Sequence, residues 1–182
     1  MSTRMISPHR HFHRLAWIAV LLALAIVVFG AFVRLSNAGL GCPDWPTCYG
    51  RAAWPVHAAD IATANAQFER AVETQKAWRE QTHRHLAAGL GLLILVLALI
   101  AARKRPQGLA SIGVGAALVA GSIPLYIGQQ YVASIALVAT GQLVLFACAL
   151  RWNNNDGARL ATVLLMVVVQ AMLGMWTVTW LL

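Results

Sequence analysis

Leu15-Ala-Trp-Ile-Ala-Val-Leu-Leu-Ala-Leu-Ala-Ile-Val-Val-Phe-Gly-Ala-Phe-Val33 contains no charged residue and is bracketed by Arg14 and Arg34. A run of this length suits a hydrocarbon core of about 30 Å crossed at about 1.5 Å per helical residue. Inside lipid the backbone must satisfy its own hydrogen bonds, so the run is predicted to be a helix. It exceeds the apolar region of a signal peptide, and Val33-Arg-Leu-Ser-Asn37 lacks the small-x-small pattern of a cleavage site. The segment is therefore expected to stay in place as an anchor.

The pattern repeats outward along the chain. Further apolar runs occupy Leu86–Ala102, Gly108–Gly128, Tyr131–Leu150 and Leu160–Leu182, and helical pattern extends the first of these back to about Trp78. Only 11% of the 182 residues are charged and 59% are hydrophobic, whereas soluble domains carry roughly a quarter charged residues. The expected fold class is all-α: an integral membrane helical bundle forming a single membrane domain. About five membrane helices are predicted, at 15–35, 80–102, 108–128, 131–150 and 160–182. A tail (1–14) precedes them, and one long outer loop (36–79) joins the first helix to the second.

Charge placement orients the bundle. The formal net charge is +8, yet the basic residues do not gather on a soluble face as nucleic-acid binding would require. They sit in short connections: Arg4, Arg10 and Arg14; Arg103, Lys104 and Arg105; Arg151 and Arg159. With alternating helices these segments share one side, which the positive-inside rule makes cytoplasmic. Loop 36–79 mixes both signs and belongs on the opposite, periplasmic side, in a multi-pass protein of the cell inner membrane.

Within that loop Cys42 and Cys48 bracket Pro43-Asp-Trp-Pro-Thr47. Two prolines and Asp44 favour a turn that brings the cysteines together, and an oxidising compartment preserves disulfides. A disulfide is expected ahead of two reduced thiols or half of a metal site, for which only Asp44 and the distant His57 offer further ligands. Cys148, inside an apolar run, reads as a small buried hydrophobe.

Ionisable residues near membrane depth are functional candidates. Glu80 and His83 are three apart, on one helix face. The imidazole has the chemistry of a heme-iron ligand, and the carboxylate that of a base or a stabiliser of positive charge. The bland alternative is that both mark the water-facing end of a helix. His85 lies about 100° further round, and His9, His11 and His13 read as a solvated tail. Gly113, Ala117 and Gly121 repeat at the four-residue spacing that lets membrane helices approach closely. Gln170 needs a partner across the bundle, Trp176 and Trp180 suit an interfacial belt, and Ala52–Glu73 has the composition of a surface helix.

Gly30-Ala-Phe-Val-Arg-Leu-Ser-Asn-Ala-Gly-Leu-Gly-Cys-Pro-Asp-Trp-Pro-Thr-Cys-Tyr-Gly50 resembles the first outer loop of bacterial and mitochondrial heme A synthases. Lys76-Ala-Trp-Arg-Glu-Gln-Thr-His-Arg84, followed by Ala87-Ala-Gly-Leu-Gly91, resembles the family's entry into its second helix. Gln170-Ala-Met-Leu-Gly-Met-Trp-Thr-Val-Thr-Trp180 is similar to its third. The three blocks occur in family order. The resemblance implies an integral membrane oxidoreductase that oxidises a methyl group of heme O to the formyl group of heme A, in support of cytochrome c oxidase assembly. It implies two similar four-helix bundles, heme O as substrate in the first, and heme b in the second, which this chain does not cover. By motif position it makes His83 a heme-iron ligand and Glu80 the catalytic carboxylate, pairs Cys42 with Cys48, and aligns Arg34 and Arg84, whose charge suits heme propionates. Membrane lipid, heme O synthase, oxidase assembly factors and a second copy of the chain are the partners it implies.

Two departures accompany the likeness. Gly108–Trp152 inserts two extra apolar segments where the family runs directly from one helix to the next. The chain also ends at Leu182, before the helix that supplies the family's second histidine, so the expectation is an N-terminal portion of a heme A synthase. A heme-binding b-type electron carrier without synthase activity, and an inactive truncated remnant, are the alternatives.

Overall fold

The computed structural model describes residues 8–103, 105–152 and Val167. Among these the chain is helical throughout, with elements α1 (Pro8–Leu35), α2 (Ala58–Gln67), α3 (Thr74–Ala102), α4 (Gly108–Ile127) and α5 (Tyr131–Arg151). The all-helical membrane architecture expected from the apolar runs is what the structure shows. Four helices are long and apolar enough to cross a membrane, over His11–Leu35, Thr74–Ala102, Gly108–Ile127 and Tyr131–Cys148. Large side chains such as Leu24, Val27, Val28 and Val132 stand exposed along them, as lipid-facing residues of a membrane helix do. The segment 160–182, with Gln170, Trp176 and Trp180, lies outside the described residues apart from Val167.

The chain divides into two compact units. Among the described residues one comprises 8–20, 91–103, 105–152 and Val167, the other 21–90.

In the first unit α4 and α5 pack together through glycine. A Cβ on Gly141 would stand 2.8 Å from the Gly115 carbonyl oxygen and 2.9 Å from Val119 Cγ2, and one on Gly115 would meet Leu145 Cδ2 at 2.9 Å. The small-residue stripe read from the sequence is not the contact: Gly113 has open space beside it, and Gly121 only reaches Leu137 at 4.0 Å. Four-residue spacing locates small residues on a helix but cannot say which row faces a neighbour. Helix packing without a hydrophobic driving force depends on such close backbone approach. Gly141→Val is accordingly expected to wedge α4 from α5 at about 1–3 kcal/mol, the usual overpacking cost, while Gly113→Ala leaves stability nearly unchanged. Thermal unfolding of both variants in detergent checks the contrast. Ser134 adds a buried hydrogen bond from its hydroxyl to the Ser122 carbonyl, 3.0 Å away, near Pro124 inside α4. Cys148 is free and buried.

The second unit carries the long loop. Helix α3 begins at Thr74, a turn before the Trp78 start that apolar pattern reached, because its first turns face the loop rather than lipid. The loop holds its own small core: Cys42, Cys48, Tyr49, Ala64 and Ala77 are buried, with Trp54, Phe68 and Val72 packed against them. Helix α2 is the ordered part of the alanine-rich stretch, and Asp60 in its first turn sits where the helix dipole favours a negative charge. The Tyr49 hydroxyl donates to the Ala71 carbonyl at 3.1 Å, closing the loop's far side over this core. Burial pushes the Tyr49 phenol above its ordinary range.

Candidate functional site

The loop's tip is a closed ring. Cys42 and Cys48 form a disulfide with Cα atoms 4.8 Å apart, the expected pairing rather than reduced thiols. Among the described residues no three His, Cys, Asp or Glu side chains gather as metal ligands. Closing so short a ring removes denatured-state entropy worth about 2 kcal/mol on the chain-entropy account. Trp45–Pro46 is a cis peptide. Asp44 organises the interior: its carboxylate accepts from the Thr47 hydroxyl, from the Tyr49 amide at 2.6 Å and from the Gly50 amide at 2.9 Å. Tyr49 and Gly50 both have positive φ, 56° and 73°, and Cys48 and Arg51 exchange backbone hydrogen bonds of 2.8 and 3.2 Å around them. That is a type I′ turn, which needs left-handed backbone at both central positions and hence favours glycine at the second.

Three side chains at the head of α3 hold this ring. The Cys42 amide donates to Glu80 Oε2 at 2.8 Å, while the Gly41 amide donates to the Ala38 carbonyl at 3.0 Å. Arg84 donates to the Asp44 carbonyl at 2.7 Å and the Thr47 carbonyl at 3.0 Å through Nη1, while Nη2 reaches Glu80 Oε1 at 2.5 Å. Gln81, fully buried, donates from Nε2 to the Ala52 carbonyl at 2.9 Å and the Pro46 carbonyl at 3.3 Å. Gly41 permits the contact: a Cβ there would stand 2.7 Å from the Lys76 carbonyl carbon and 2.9 Å from the Ala77 nitrogen. Both are backbone atoms that cannot swing aside.

His83 faces a different neighbour. Its imidazole lies against α1. A Cβ on Gly30 would sit 2.7 Å from His83 Nε2, so the ring tip occupies the notch left by glycine. Phe29 lines the ring's flank at 6.3 Å between centroids, and continues to Trp78 at 6.2 Å and Phe32 at 5.9 Å. Glu80 and His83, adjacent on a helical wheel, thus serve two fronts: the carboxylate meets the disulfide ring and the imidazole meets α1.

Of the remaining candidates, Arg34 is exposed in the last turn of α1, and Arg84 is committed to the ring and to Glu80. His85 is exposed, with Nε2 3.4 Å from Gln81 Nε2. Sequence reading passed over Gly30, Gly41, Arg79 and Gln81. Gln81 carried a signal, a long polar side chain beside Glu80 at the head of an apolar helix. The two glycines carried none that spacing could show. The donor set suits a tetrapyrrole: a half-buried imidazole supplies a nitrogen ligand, and an aromatic wall beside it suits a flat apolar ring.

Comparison with known proteins places these residues in company. A family model described as cytochrome oxidase assembly protein (COX15-CtaA) matches residues 13–182. A heme A synthase from Shewanella oneidensis is 43% identical over 88 residues, covering 46% of this chain and 27% of that protein. A protoheme IX farnesyltransferase from Thermus thermophilus is 33% identical over 105 residues, covering 57% of this chain and 15% of its own length. The match therefore spans about a quarter or less of each curated relative. No solved structure matches.

Proposed function

The chain belongs to the cytochrome oxidase assembly protein family, and from that membership we propose that it acts in heme A formation, oxidising a methyl group of heme O to the formyl group. The observation that carries this reading is the His83 imidazole, held on α1 beside an aromatic wall, with Glu80 one turn earlier under a cross-linked loop. The relative named heme A synthase supports it, since that likeness is 43% identity.

In this proposal heme O is the substrate, and taking its methyl group to a formyl group removes four electrons and four protons and takes up one oxygen atom from water, the electrons passing to an external acceptor. His83 would hold the heme iron through an imidazole nitrogen, beside the space that Gly30 leaves. Glu80 presents negative charge at the head of α3, where it stabilises positive charge developing on the substrate's periphery. Arg84 offsets that charge in the resting site and aims the carboxylate, acting through Glu80 rather than on substrate. Arg34, exposed at the end of α1, is open to a ligand's acidic group. The loop covers the site on the periplasmic side, with the N-terminus cytoplasmic and the protein in the inner membrane. Heme O synthase and oxidase assembly factors are the proposed partners in supply and delivery.

One observation favours a second reading, a heme-binding electron carrier: the Glu80 carboxylate is already occupied by the Cys42 amide and the Arg84 guanidinium, as a purely structural anchor would be. Glu80→Gln separates the two. It keeps the acceptor for the Cys42 amide and removes the charge. Under the synthase reading, membranes carrying it bind heme at the wild-type level and accumulate unreacted heme O, with heme A reduced about 10²-fold or more, the scale of a lost transition-state charge contact. Undiminished heme A would leave Glu80 a structural role. His83→Ala is the companion, expected to abolish the heme absorption band.

A further inference from the structure

Most of the basic side chains packed on the loop have an oxygen partner among the described residues. Arg51 pairs with Asp60 at 2.7 Å, Lys76 with Glu73 at 2.8 Å and Arg84 with Glu80, while Arg70 donates to the Leu40 carbonyl. Arg79 has none among the described residues. Its guanidinium carbon lies 5.1 Å from the centre of the Phe32 ring and 5.8 Å from that of Trp78, and its Nε is buried without a hydrogen-bond partner.

A guanidinium against two rings gains cation–π attraction, while its buried Nε–H is left without a hydrogen-bond partner. A donor shielded from water and unmatched is costly, and such groups are rare unless something pairs with them. The group that fits is a carboxylate, whose two oxygens match the fork. Its source follows from the surroundings. Both rings under Arg79 touch Phe29, and Phe29 flanks His83, so the cation and the imidazole stand along one aromatic wall. Arg79 and His83 are four apart on α3, so they share one face of the helix, and a ligand on that wall that meets His83 has an edge toward Arg79.

We propose that Arg79 binds a peripheral carboxylate of the tetrapyrrole that meets His83. This rests on the heme reading above, and it transfers to Arg79 the propionate contact that charge alone had assigned to Arg84, whose donors are spent on the loop.

The test uses a chemical pair, ferric protoheme and its dimethyl ester, titrated into the purified full chain in neutral detergent and followed by the Soret band. Wild type is expected to bind the free acid about 10- to 100-fold more tightly than the ester, the range for a charge-assisted hydrogen bond. Arg79→Gln loses that preference while binding the ester as wild type does, Arg79→Lys keeps part of it, and Arg51→Gln keeps all of it. Arg79→Gln retaining the full acid preference overturns the proposal and leaves the heme reading standing. Equal weakening toward acid and ester also overturns it, by showing that Arg79 only supports the fold. If wild type binds neither compound, the heme reading fails and the proposal goes with it.

Discussion

Arg84→Ala is expected to destabilise the protein by about 3–5 kcal/mol, the range for removing one partner of a buried ion pair. The pair is well shielded, with side-chain exposures of 13% for Arg84 and 6% for Glu80. Truncation leaves the Glu80 carboxylate buried beside the Cys42 amide with its countercharge gone, and strips the Asp44 and Thr47 carbonyls of their donor. The disulfide persists, but the ring it closes is no longer fastened to α3. Two measurements check this: a lower unfolding midpoint in detergent, and proteolysis within residues 36–73 under conditions where wild type resists. The double variant Arg84→Ala with Glu80→Gln should recover part of the loss, because the uncompensated charge is then removed. A double variant no more stable than Arg84→Ala alone would show that the charge was never the issue.

Gly30→Ala is expected to leave the fold intact and weaken heme binding about 10- to 100-fold, the cost typical of disturbing a ligating histidine's supporting contacts. The added methyl would stand 2.7 Å from His83 Nε2, and the imidazole is a side-chain tip that can turn away. The helix itself should gain, since alanine outranks glycine by about 1 kcal/mol in a helix interior. Displacement of the ring is the predicted consequence, and histidine-labelled NMR of heme-free protein reads it directly as a shift confined to His83. Gly89→Ala is the control, with nothing among the described residues within 4 Å of its added methyl. Equal heme affinity in the two variants would dissociate the notch from ligation.

These outcomes mark where sequence reading ends. The helices were legible because lipid leaves an apolar run of membrane length no alternative to a helix. Cys42 and Cys48 were legible because a short, proline-bent spacing brings them together. Glu80 and His83 stood out as ionisable residues at the head of an apolar helix. Their partners did not. The amide on Glu80 comes from Cys42, 38 residues back in the chain, and no local pattern encodes that meeting. Arg79, Arg84 and Arg34 are alike as letters. Only packing separates a guanidinium bound to loop carbonyls from one stranded between Phe32 and Trp78. Glycines mislead in the same way. Gly113 and Gly121 carry the conspicuous spacing, while Gly115 and Gly141 make the contact.

The clamp on the loop also sets an order of assembly. Cys42 and Cys48 are separated by six positions, whereas the Arg84 bonds to Asp44 and Thr47 span 40 and 37. Short closures require less chain entropy and less of the polypeptide to have emerged. The ring can therefore be complete before the head of α3 arrives, with the Asp44 and Thr47 carbonyls already converging on one point. Arg84 then meets a finished socket, and the second transmembrane helix is received at a fixed depth and rotation by a template made earlier in the same chain.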